Sequence, residues 1–150
     1  LKRQVFLLHG TSKPAKEWPL ERWIKLAEIA RFENYEVFLS WGNDEERKVA
    51  RQVADKCDSK LVPKTTLNNL LPHLRESQIV VGVDTGLTHL SAAIGSATLG
   101  LYGPTNVDLT GCRGRFARTL SSDSGMGSIS AAAAWDSACQ LMEDRLNKIG

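Results

Sequence analysis

Two stretches of this 150-residue chain carry the residue types that grip phosphate. The first is Gly10-Thr11-Ser12-Lys13-Pro14-Ala15-Lys16. Gly10 lets a ligand approach the backbone closely. Thr11 and Ser12 add hydroxyl donors, and Lys16 adds a mobile positive charge suited to a phosphate oxygen. Taken alone, the same string reads more readily as an ordinary polar strand-to-helix loop, and it lacks the GxxxxGK[ST] spacing of a P-loop. The second stretch is Asp84-Thr85-Gly86-Leu87-Thr88-His89, fed directly by Val80-Val81-Gly82-Val83. Free amides and the positive end of a helix dipole meet at such a junction, so Thr85 and Gly86 can offer N–H groups to an anion. Asp84 reads either as a helix cap or as an acceptor for sugar hydroxyls. His89 falls in the first helical turn, where the dipole disfavours imidazolium and leaves a neutral ring able to hydrogen-bond a ligand. Tyr102-Gly103-Pro104-Thr105 is a turn that could wall the same cleft. Asp44 and Glu45 read equally as carboxylates at a helix N-terminus or as acceptors for a ribose diol.

Other chemistries find little support. No GxSxG string and no acidic cluster for a metal is present. His9 and His73 have no metal-ligand neighbours and read as structural. Cys57, Cys112 and Cys139 form no CxxC pair, which argues against zinc and thioredoxin-like chemistry. An odd count without a secretory signal fits a reducing compartment. The net charge is +2, without the clustered basic residues that nucleic acid would need. Arg113, Arg115 and Arg118 are Gly-spaced and read as a solvated loop. The four tryptophans read as packing residues, Trp23 and Trp135 on apolar helix faces. No run of about 18 apolar residues exists to span a bilayer. The chain starts Leu1-Lys2-Arg3-Gln4 without methionine, as if cut from something longer.

Elements must bring those loops together. Val5–Leu8 reads as a buried strand, followed by a helix opening at Trp18-Pro19 with proline in its first position. Leu20, Trp23, Ile24, Ala27 and Ala30 give that helix one apolar face. Further strands are expected at Glu36–Trp41, Lys60–Val62, Gln78–Val83 and Ala97–Tyr102, with an edge strand at Ala117–Leu120. Helices are expected over Glu45–Lys56, from Thr66 to Leu74, after Gly86, and from Ser130 to Lys148 with Trp135, Ala138, Leu141, Met142 and Leu146 on one side. Strand alternates with helix four times, which implies βα repeats around a parallel sheet covered on both faces. Ligands bind such Rossmann-like sheets at the carboxyl ends of the strands, near the switch in strand order.

HGTSKPAKEWP, the Trp41-Gly42 turn with its acids, VDTGLTHLSAA and YGPT together resemble the heptosyltransferases of glycosyltransferase family nine. Within it the chain looks like the enzymes that add the first heptose to the Kdo of the lipopolysaccharide inner core. The resemblance implies one half of a two-domain GT-B enzyme: residues 1–150 as the C-terminal domain binding ADP-heptose, with the N-terminal acceptor domain absent. Thr11 and Ser12 would contact the diphosphate, Lys16 would neutralise departing ADP, and Asp44 or Glu45 would hold the ribose. Thr65 would lie near the adenine. Asp84 would hold heptose hydroxyls, and Thr85, Gly86 and His89 the diphosphate and nearby sugar oxygens. The general base, an aspartate, would come from the missing domain together with the lipid A–Kdo acceptor. Neither metal nor cofactor is implied. A cytoplasmic enzyme, peripheral at the inner face of the inner membrane, and inactive as this fragment alone, would follow. Alternatives are a heptosyltransferase II, a UDP-sugar epimerase or another nucleotide-sugar enzyme, or a non-catalytic nucleotide-binding α/β module.

Overall fold

Val5, Phe6, Leu7 and Leu8 are all buried, so the strand that carries them is covered on both sides. In the computed structural model, which describes residues 1–104, 111 and 113–149, this strand is β1 (Lys2–Leu8). It is joined by β2 (Glu36–Leu39), β3 (Lys60–Leu61), β4 (Ser77–Val83), β5 (Thr98–Tyr102) and β6 (Ala117–Ser121). The order across the sheet is β3-β2-β1-β4-β5-β6, and every pairing is parallel. The order reverses between β1 and β4, whose registers pair Leu7 with Val81 and Leu8 with Gly82. The two phosphate-type loops therefore leave neighbouring strands at the same edge of the sheet.

Helices α1 (Leu20–Phe32), α2 (Asp44–Cys57) and α5 (Ala131–Ile149) cover one face, and α3 (Leu67–Glu76) and α4 (Gly86–Ala93) the other. Period-two alternation divides the core. Val5, Leu7, Ile79, Val81 and Val83 pack with Trp18, Trp23, Leu26 and Trp135. Phe6, Leu8 and Val80 pack with Val62, Leu70 and Leu74. Gly82 is a required glycine. A Cβ there would come 2.2 Å from Thr88 Oγ1, so its absence lets α4 lie close on β4.

Several boundaries differ from the sequence reading. Helix α1 begins at Leu20, because Pro19 keeps an extended ψ of 143 and stands as the N-cap. Strand β2 ends at Leu39; Trp41 is half-buried at the rim, 5.2 Å beneath the Arg47 guanidinium. Strand β3 is two residues long, and Val62 adds one amide bond to Leu39 O at 2.8 Å. Helix α3 runs past Leu74 to Glu76, capped as expected by Thr66, whose hydroxyl accepts from Asn69 N–H. Ser130 caps α5, accepting from Ala133 N–H at 3.0 Å. Its buried face stops at Met142, and Leu146, expected on that face, is 70 % exposed. The expected edge strand is present as β6, hydrogen-bonded to β5. Thr105 of the YGPT string and Cys112 lie outside the described residues.

Candidate functional site

The chain leaves β1 at Leu8 and turns through His9 and Gly10 over the end of the sheet. Thr11 Oγ1 accepts from Lys13 N–H at 3.2 Å, and a short 3-10 turn, Pro14–Lys16, swings Lys16 back toward the sheet. Trp18 anchors the far end of this loop: its indole donates to Ile129 O at 3.0 Å and its ring meets Trp23 edge-on at 4.7 Å. The loop is thus held from both ends.

Across the switch, β4 delivers Asp84 and Thr85. Thr85, not Asp84, is the N-cap of α4; its hydroxyl accepts from Thr88 N–H at 3.4 Å. The amides of Gly86 and Leu87 are first-turn donors without an intrahelical acceptor and point out of the helix end. Asp84 is free of capping duty and reaches sideways. Its Oδ2 lies 2.7 Å from Lys16 Nζ, and its Oδ1 lies 2.9 Å from His89 Nε2. Burial opposes ionisation of this carboxyl, but the hydrogen bonds and charges of Lys16 and His89 outweigh it, holding it below its ordinary value.

A cavity of about 330 Å³ opens between the two junctions. Thr11, Ser12, Lys13 and Lys16 line one side, and Asp84, Thr85, Gly86 and Leu87 the other. Ser40 and Glu46 close a third wall. A smaller slot of about 180 Å³ shares Ser40, Glu46 and Leu87 with it and is lined by Trp41, Val62, Pro63, Leu67, Leu70 and Thr65. The composite is a polar chamber in which Lys13 and Lys16 face Glu46 and Asp84 beside a helix N-terminus, adjoining a more apolar slot.

Of the expected site residues, Thr11, Ser12, Lys16, Asp84, Thr85 and Gly86 are brought together. Thr65 lies in the adjoining slot, its hydroxyl accepting from Asn69 Nδ2 at 3.1 Å. His89 adjoins this group through Asp84, its Nε2 2.9 Å from Oδ1 and its side chain 38% exposed. Asp44 and Glu45 are exposed on α2, and Glu45 pairs with Lys48 at 3.4 Å. The carboxylate that reaches the cavity is Glu46, one residue further on. Its Oε1 accepts from Gly42 N–H at 2.9 Å, and its carbonyl accepts from His9 Nε2 at 2.9 Å. Asn43 caps α2 by accepting from Glu46 N–H at 2.9 Å. An Asn-x-x-Glu string before a helix is a capping-box spacing, and that signal identifies Glu46 as the residue turned back toward the strand ends. Lys13, Ser40 and Leu87 were also missed as lining residues; Leu87 in particular reads from its type as core.

Residues 1–148 match the family described as "Glycosyltransferase family 9 (heptosyltransferase)". The chain is 40% identical over 120 residues to lipopolysaccharide heptosyltransferase 1 of Pseudomonas aeruginosa, covering 79% of this chain and 34% of that protein. It is 34% identical over 109 residues to lipopolysaccharide heptosyltransferase 1 of Escherichia coli K12, covering 72% of this chain. Its fold matches the E. coli heptosyltransferase WaaC with ADP at a TM-score of 0.88 and 27% identity, over 93% of this chain and 44% of that one. The same enzyme with ADP-2-deoxy-2-fluoro heptose matches at a TM-score of 0.84 and 26% identity, again over 93% of this chain and 43% of that one. The chain therefore spans about a third of the length of the curated relatives it matches. With the parallel sheet, the paired junctions and this agreement over nearly all of its residues, the chain belongs to glycosyltransferase family 9, the heptosyltransferase family.

Proposed function

We propose that this chain is the donor-binding half of a heptosyltransferase I, holding ADP-L-glycero-D-manno-heptose for transfer to a Kdo hydroxyl of the lipopolysaccharide inner core. The observation that carries the reading is the convergence of Thr11–Lys16 and Asp84–Gly86 on one cavity at the sheet's switch point. The diphosphate lies between the Lys16 loop and the N-terminus of α4. The ribose hydroxyls donate to Glu46, the adenine enters the slot beside Thr65, and heptose hydroxyls donate to Asp84. The likeness to a solved heptosyltransferase with ADP supports this arrangement.

In transfer, the acceptor oxygen bonds to the heptose anomeric carbon as that carbon's bond to the diphosphate oxygen breaks. The proton passes to a carboxylate base outside this chain, and ADP departs with the electron pair. Lys16 and the α4 N-terminus oppose the charge that grows on the leaving diphosphate. The acceptor domain, the lipid A–Kdo partner and a station at the cytoplasmic face of the inner membrane complete the proposal.

Calorimetry with ADP and UDP tests it. ADP is expected to bind weakly, with Kd about 0.1–1 mM, because one wall of the cleft is supplied from outside the chain. UDP is expected to bind more weakly still. Absence of ADP binding at millimolar concentration, or a preference for UDP, overturns the reading.

A further inference from the structure

A second hollow, of about 460 Å³, opens on the other side of the β1 loop, between the N-terminal ends of α1 and α2. It shares Gly10, Thr11 and Glu46 with the first cavity but has walls of its own. Trp18, Pro19 and Val49 supply apolar surface, and Glu17, Glu45 and Glu46 supply carboxylates. Among the described residues, no lysine or arginine lines it. Glu45 reaches Lys48 at 3.4 Å, but both side chains are largely exposed and the pair is weak.

His9 lines the same hollow and is only 6% exposed. Its ring stands edge-on to Trp23 at 6.4 Å. Its Nε2 lies 2.9 Å from Glu46 O, and a carbonyl can only accept, so the N–H is on Nε2. Burial holds the imidazole below its ordinary value, which keeps the ring neutral at pH 7 and leaves a lone pair on Nδ1. That Nδ1 is buried and has no hydrogen-bond partner among the described residues. Buried polar atoms are ordinarily satisfied, so an open acceptor on the wall of a hollow calls for a donor from outside the chain.

The walls say which donor. Among the described residues, no group of three His, Cys, Asp or Glu could hold a metal ion. A neutral hydroxyl satisfies Nδ1 but gains nothing from three carboxylates. An alkylammonium ion gives an N–H to Nδ1, its charge to the acids, and its methylenes and charge to the Trp18 side of the hollow. We propose that this hollow is a binding site for a small organic ammonium ion of the alkyl diamine class, separate from the donor cavity, with His9 Nδ1 as its buried acceptor. The proposal does not depend on the donor reading.

The probe is 1,4-diaminobutane, added to the nitrogen-15-labelled chain at pH 7.5 and followed by two-bond proton–nitrogen correlation of the imidazole rings. The His9 signals are identified by their disappearance in His9→Gln. The diamine is expected to bind with Kd about 1 mM, the scale open to so small a ligand. His9 Nδ1 is expected to move upfield as it accepts a hydrogen bond, while the nitrogens of His73 and His89 stay in place. Neutral 1,4-butanediol is expected to leave His9 unmoved. Glu17→Gln combined with Glu45→Gln, both at exposed positions, is expected to weaken the diamine about fivefold. No movement of Nδ1 at tens of millimolar diamine overturns the proposal. An equal movement with butanediol, or an affinity indifferent to the two Glu substitutions, overturns the assignment to an ammonium ion. Movement of His89 in place of His9 puts the diamine in the donor cavity and also overturns it. ADP is absent from every arm, so the donor reading stands or falls by its own titration.

Discussion

At the scale of single residues, the site depends on where charge is held before a ligand arrives. Lys16 and Asp84 neutralise one another across the cavity, and the lysine side chain is 35% exposed. With its lysine end open to solvent, although the Asp84 side chain is only 11% exposed, the pair contributes about 1 kcal/mol at most to folding. Lys16→Ala is therefore expected to leave the unfolding midpoint nearly unchanged, yet to weaken ADP about tenfold or more, as removal of a charge-assisted bond to phosphate does. Urea titration and calorimetry on the same sample separate the two effects, and an equal loss in both would mean that Lys16 is structural. The acidic turn yields a sharper contrast. Glu46 bonds Gly42 N–H and lines the cavity, whereas Asp44 is exposed away from it and Glu45 lines the neighbouring hollow of about 460 Å³ that shares Gly10, Thr11 and Glu46 with it. Glu46→Gln keeps an acceptor for Gly42 but loses the charge, and is expected to weaken ADP severalfold, with a stability change below about 0.5 kcal/mol. Asp44→Ala and Glu45→Ala are expected to leave ADP affinity within about twofold, because neither touches the cavity. Calorimetry on all three variants checks the assignment, and a larger loss from Asp44→Ala would return the ribose role to it.

At the scale of elements, two glycines show how loop and helix are seated. A Cβ on Gly10 would fall 2.4 Å from the Glu46 carboxyl carbon, the movable end of a side chain. A Cβ on Gly82 would fall 2.2 Å from Thr88 Oγ1 and 3.1 Å from Leu8 Cβ, inside the contact between β4 and α4. Gly10→Ala is thus expected to push Glu46 out of the site, weakening ADP while costing under about 1 kcal/mol of stability. Gly82→Ala is expected to cost about 1–3 kcal/mol by overpacking and to shift α4 off the sheet. Chemical unfolding paired with ADP titration distinguishes them. Much of this was legible in the chain. Short apolar runs and turn residues identified the strands of the parallel sheet, and Asp84-Thr85-Gly86 marked the helix start at the end of β4. What escaped depended on details finer than periodicity. The capping role passed from Asp84 to Thr85 because the residue whose hydroxyl meets Thr88 N–H is set by backbone direction at the end of β4. Glu46 escaped because three acids in a row are equivalent by composition, and only the capping geometry of Asn43 turns one of them inward. His89, read as a ligand contact, also bonds Asp84 Oδ1 and meets the ring of Tyr102, a residue on another strand that no local spacing reveals.

At the scale of the whole molecule, the strand order puts the β1 and β4 loops side by side and leaves two kinds of titrating group at the same edge. His9 is buried at the end of β1. Burial pushes its imidazole below 6.5, partly offset by the Glu46 carbonyl that accepts from Nε2 and by the Glu46 charge. The folded chain thus keeps His9 neutral at pH values where the unfolded chain takes up a proton. Stability present above about pH 6.5 is therefore lost as pH falls below it, and the loss ends once the folded imidazole's own depressed value is passed. Asp84 has the same sign in a lower window: its carboxyl is depressed from 3.8, so its contribution is present above that value and declines as pH falls through the folded value. Acid unfolding should accordingly show a first decline just below pH 6.5 that salt barely alters, because a buried group is poorly screened, and a second below pH 4. The slope of the first cannot exceed about 1.4 kcal/mol per pH unit, the value for one proton. His9→Gln, which retains an N–H donor for the Glu46 carbonyl, is expected to flatten the first decline and leave the second. Urea unfolding from pH 7.5 down to about pH 2.5 measures both, and persistence of the first decline in His9→Gln would assign it to a group other than His9.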